Sequence, residues 1–93
     1  MPKVQSQLLV PEVTRDRADA LALVRGEPRA EVYRLALEGA GLAGLERTHA
    51  KGLAELDALA ETFGMSRDTL VRRMVADGQT MAGLAGRKRY PKS

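Results

Sequence analysis

The chain has 93 residues, with 15 Lys or Arg against 12 Asp or Glu, a formal charge of +3, no cysteine, no tryptophan and three aromatic side chains. That is room for one small domain or two very small lobes, and without cysteine a secreted scaffold stapled by disulfides is excluded, which leaves oligomerisation as the substitute. No run of about eighteen apolar residues offers a membrane span and Met1 to Val10 lacks the apolar core of a signal peptide, so a cytoplasmic protein is expected.

The distribution of charge says more than its sum. Arg87, Lys88, Arg89 and Lys92 hold four of the fifteen positive charges, so residues 1–86 carry eleven basic and twelve acidic groups and are net −1. Bulk charge alone therefore does not establish a nucleic-acid partner.

Taken in order, residues 3–10 have β-branched ends, no helix start signal and a proline after them, which predicts a short strand. Alternation puts Val4, Ser6, Leu8 and Val10 on one face and Lys3, Gln5, Gln7 and Leu9 on the other. A lone strand needs a partner for its backbone, and the same strand of a second chain is the obvious one. A helix follows over 11–25, with Pro11 at its start and Ala18, Leu21 and Ala22 on one face; Gly26 ends it. A second helix over 28–39 carries Val32, Leu35 and Ala36 and stops at Gly39-Ala40-Gly41. Residues 42–51 read as a linker or degenerate strand. Over 52–78 a second helix pair is expected, with Leu53, Leu56, Leu59, Ala60 and Phe63 as a stripe, Gly64 as a stop, Ser66 as N-cap and Asp77-Gly78 as the end. Residues 79–93 read as a basic, flexible tail.

The two helix pairs are related by a shift of 38 positions: Asp19-Ala20-Leu21-Ala22 falls on Asp57-Ala58-Leu59-Ala60, Gly26 on Gly64, Arg29 on Arg67 and Arg34 on Arg72. If the second unit were a full copy, its strand would lie near 43–48 and would turn Gly44, Glu46 and Thr48 toward the core. A buried Glu is costly, so that strand is expected to be short, distorted or absent, with Leu42 and Leu45 packing a linker or helix instead.

A strand running through Leu8-Leu9-Val10-Pro11-Glu12-Val13 into a helix, a turn at Gly26 and a second helix with Glu31-Val32-Tyr33-Arg34-Leu35-Ala36-Leu37 resembles the ribbon-helix-helix family of prokaryotic DNA-binding proteins. Residues 56–72 look similar to the helical part of that family. The resemblance implies a mainly α fold with one short N-terminal β-strand, in tandem ribbon-helix-helix-like units, the strand pairing between the chains of a homodimer. It also implies a function: sequence-specific binding of double-stranded DNA as a transcriptional repressor or autoregulator, with the ribbon in the major groove. By register, the base-reading residues would be Lys3, Gln5, Gln7 and Leu9. Arg29 and Arg67, near the starts of the second helices, and Arg87, Lys88 and Arg89 in the tail would hold phosphates; surface ion pairs are the plainer reading of the first two.

Other readings stay open. Residues 53–78 also fit a helix-turn-helix with Arg67, Thr69, Arg72 and Arg73 toward the groove, although Arg73 stands where that motif usually has an apolar residue. An accessory protein marking a plasmid origin for partition or conjugation would share the DNA-binding apparatus, and assembly beyond a dimer on DNA stays open. A helical protein-interaction module, such as an antitoxin-like adaptor, is the alternative from a different class. Enzyme chemistry finds little support: one histidine, His49, with scattered carboxylates forms neither a metal site nor a catalytic dyad, no glycine spacing makes a phosphate loop, and no cofactor is implied.

Overall fold

The computed structural model describes residues 11–39 and 41–91. They form helices α1 (Glu12–Arg25), α2 (Arg29–Glu38), α3 (Gly41–Thr48), α4 (Ala50–Thr62), α5 (Arg67–Asp77) and α6 (Met81–Leu84).

The helix boundaries follow from local chemistry. Pro11 and Pro28 precede α1 and α2, where a missing N–H costs nothing. Ser66 caps α5, its hydroxyl accepting from the Thr69 N–H at 3.2 Å, and Thr80 caps α6 by accepting from the Gly83 N–H at 3.0 Å. Three helices stop in the same way. At Gly26, Gly64 and Gly78 φ is 71°, 73° and 66°, and the next residue's N–H returns to a carbonyl five residues back: Glu27 to Ala22, Met65 to Ala60 and Gln79 to Met74. Glycine enters this left-handed conformation without the Cβ clash of other residues.

Packing centres on α1, which touches α2, α3, α4 and α5. Its small side chains Ala18 and Ala20 let neighbours approach, while Leu21 is fully buried. Around it close Val32 of α2, Leu53, Leu56 and Ala60 of α4, Leu70, Val71 and Met74 of α5, and Leu84 of α6. Each fully buried Leu or Met contributes about 1.5–3 kcal/mol of transfer free energy. Ion pairs fasten the elements around this core: Arg17 of α1 donates to both oxygens of Glu46 in α3 at 2.9 and 2.6 Å, and Arg72 of α5 donates to Asp16 of α1 at 2.8 Å.

The expected fold of an N-terminal strand followed by tandem ribbon-helix-helix-like units is corrected: the described residues are all-helical and contain no strand. The strand expected over 3–10 lies outside the described residues. At the place of a second ribbon stands α3, and the reason is visible in its side chains. Helical spacing puts Leu42 and Leu45 against the core together with buried Gly44, and it turns Glu46 toward Arg17; extended pairing would have aimed that carboxylate inward.

The shift of 38 positions is present in the helices themselves. Glu12 and Ala50 start α1 and α4, Arg29 and Arg67 start α2 and α5, and Gly26 and Gly64 turn each pair. One ion pair repeats as well: Arg29 meets Asp19 at 3.3 Å, and Arg67 meets Asp57 at 3.3 Å. Each spans its own turn and latches the second helix to the first.

Candidate nucleic-acid interface

Helices α4 and α5 with the turn between them form a helix-turn-helix hairpin. Leu53, Leu56 and Ala60 seat α4 on the core, the chain reverses through Phe63, Gly64, Met65 and Ser66, and Leu70, Val71 and Met74 seat α5. Burying these three faces the rest of α5 outward: Asp68, Thr69, Arg72, Arg73 and Ala76 are all exposed. The hydroxyl of Ser66 donates to Thr69 Oγ1 at 2.9 Å, which ties Thr69 to the capping residue.

The chain after α6 runs beside this hairpin. Leu84 is fully buried, and Tyr90 makes three contacts with the α4–α5 unit. Its ring meets Phe63 edge to face, with centroids 5.9 Å apart and planes at 89°. The Arg73 guanidinium lies 5.7 Å from the ring centroid, and the Tyr90 hydroxyl donates to Asp77 Oδ2 at 2.8 Å. Burial, aided by the Asp77 carboxylate, pushes the Tyr90 phenol up to about 12. Residues 79–91 are thus laid against the hairpin, where the sequence reading expected a flexible tail. Between the two anchors, Ala85 to Arg89 are exposed, and Arg87 Nε donates to the Gly83 carbonyl at 3.3 Å.

The cations of the chain fall into two groups. Arg17, Arg25, Arg29, Arg34, Arg67 and Arg72 are engaged with carboxylates. The hydrogen bond from Arg17 holds the Glu46 carboxyl below its ordinary range, and Asp16 raises the Arg72 guanidinium. Arg25 also donates to His49 Nε2 at 2.9 Å; a guanidinium has only donors, so that ring nitrogen is the acceptor. By contrast, Arg15, Arg47, Lys51, Arg73, Arg87, Lys88 and Arg89 have no carboxylate within ion-pair distance among the described residues; of these, Arg73 packs on the ring of Tyr90, the residue that directly follows the Arg87-Lys88-Arg89 run.

Lys3, Gln5, Gln7 and Leu9 lie outside the described residues. Arg29 and Arg67 sit at the starts of α2 and α5 and are turned back to Asp19 and Asp57, as the plainer ion-pair reading has it. Arg87, Lys88 and Arg89 are exposed and directly precede Tyr90, whose ring packs against Arg73. Sequence reasoning passed over Tyr90, whose one visible signal was an aromatic side chain in an otherwise basic, aromatic-poor segment.

No protein-family model, no curated protein and no solved structure matches the chain. Among the described residues, no helix is long and apolar enough to cross a membrane.

Proposed function

We propose that this chain is a sequence-specific DNA-binding protein of the repressor or autoregulator kind, with α5 as the helix that enters the major groove. The observation that carries the reading is Arg73 on the outward face of α5 in a helix-turn-helix hairpin, packed on Tyr90 at the end of the exposed Arg87-Lys88-Arg89 run, all four cations without a carboxylate partner among the described residues. A helix of this size fits a major groove about 12 Å wide, where arginine donates to the O6 and N7 edge of guanine and threonine meets either polar edges or the thymine methyl. Thr69 and Arg73 occupy that role. Arg87, Lys88 and Arg89 flank them, and phosphates are the natural partners of cations that no internal carboxylate neutralises.

The test is selection of bound duplexes from a random library, followed by fluorescence anisotropy between about 50 and 200 mM salt. A shared motif is expected among the retained duplexes, and Arg73→Ala should relax preference at one base position by about 1–3 kcal/mol. Retention of no duplex at the low-salt end would overturn the reading, as would an Arg73→Ala protein with the wild-type preference.

A further inference from the structure

We propose that Tyr90 is a positioning residue, holding Arg87, Lys88 and Arg89 as a preformed clamp for the DNA phosphates that flank α5. The inference rests on the DNA-binding reading of α5 and assigns to the chain after α6 its own part in it.

The geometry has three components. First, the segment is fastened at both ends: Leu84 is fully buried and Tyr90 is seated on Phe63, while Ala85 to Arg89 between them are exposed. A segment pinned at two points six residues apart in sequence cannot roam as a tethered tail does. Second, Tyr90 reads out the α4–α5 hairpin specifically. Its ring touches the turn residue Phe63 and the α5 residue Arg73, and its hydroxyl reaches Asp77 at the last position of α5. A carboxylate at that end faces the negative pole of the helix dipole, and the phenol hydrogen bond offsets this. Third, three of the five residues so held, Arg87, Lys88 and Arg89, are cations, and a cation ordered before it meets phosphate avoids part of the immobilisation cost of binding. The same residues on a loose tail would attract DNA over a wide volume. Held here, they mark a fixed position relative to the groove-facing residues Thr69 and Arg73.

The experiment is a salt series of anisotropy titrations on a duplex recovered in the selection, with helix content followed by circular dichroism. Tyr90→Ala is expected to weaken binding about tenfold and to flatten the plot of log K against log salt by about 2, since each lost phosphate contact removes about 0.9. Tyr90→Phe, which keeps the ring contacts, is expected to restore most of both. Combining Tyr90→Ala with alanine at Arg87, Lys88 and Arg89 should add little to the triple substitution alone. If Tyr90→Ala loses helix content, Tyr90→Leu keeps apolar volume but loses the edge-to-face, cation–π and hydroxyl contacts that fix the segment, and should flatten the slope in the same way. Wild-type affinity and slope in a folded Tyr90→Ala or Tyr90→Leu protein would overturn the clamp while leaving the DNA-binding reading intact. A wild-type protein that retains no duplex overturns that reading and the clamp with it.

Discussion

Gly52 sits in the first turn of α4, where α4 crosses α1. A methyl group at this position would overlap the Val24 Cγ1 methyl and stand 3.4 Å from Val24 Cβ and Cγ2. Two effects then oppose each other in Gly52→Ala. Helix propensity favours alanine over glycine by about 1 kcal/mol. Against it stands overpacking, which costs about 1–3 kcal/mol and belongs in the upper half of that range here, because a β-branched valine in a helix has little freedom to swing its methyl away. The net expectation is a loss of about 1–2 kcal/mol, or a fall in Tm of about 5–15 °C for a domain of this size. Thermal and urea unfolding followed by circular dichroism would measure it. The decisive comparison is with Val24→Ala as background: there the space is open, propensity alone acts, and Gly52→Ala should become stabilising by about 1 kcal/mol. A rise in Tm on placing alanine at 52 in the wild type would refute the close approach of α1 and α4.

Two further substitutions test other parts of the fold. Ser66→Ala removes the acceptor for the Thr69 N–H and should cost about 1 kcal/mol in urea unfolding, with Ser66→Gly losing only a few tenths; equal losses would mean the hydroxyl is not the cap. Asp19 is 8% exposed, and burial raises its pKa against the opposing pull of Arg29. Its ionisation therefore opposes folding: the penalty is absent below the ordinary aspartate value of 3.8, grows as pH rises through the native value and is constant above it. Asp19→Asn should be more stable than the wild type at neutral pH, with the advantage vanishing as pH falls toward 3.8; a variant destabilised at neutral pH would show that Arg29 outweighs desolvation.

Helix ends were the most legible part of the fold. Gly26, Gly64 and Gly78 announce themselves because only glycine takes a positive φ freely, and Ser66 because its hydroxyl substitutes for a missing turn of backbone acceptors. Such signals act within five residues of chain. Helix α3 was harder to see, since Gly39, Gly41 and Gly44 read locally as stops. What makes it a helix is tertiary: Leu42 and Leu45 on the core and Glu46 meeting Arg17, 29 residues away. The residues that carry the ribbon expectation, 3–10, lie outside the described residues, and the rest of the pattern is degenerate enough for an all-helical chain to satisfy it equally well. Within the candidate interface, Arg87, Lys88 and Arg89 stood out by charge. Their setting did not, because it depends on Tyr90 reaching Phe63 and Asp77 across the fold, and no local spacing encodes that.

The bond between Arg72 and Asp16 joins residues 56 positions apart and ties α5 to the first helix pair. Asp16 is 6% exposed, so a duplex that drew Arg72 away would strand a carboxylate in a place with little water. If α5 enters a groove as proposed, any base asking for Arg72 would thereby be taxed, and one read by Thr69 and Arg73 alone would not. On the proposed DNA-binding reading, half of the arginine on the outward face of α5 would thus be withheld from the groove, and the first helix pair would act as a filter on which operators the second accepts.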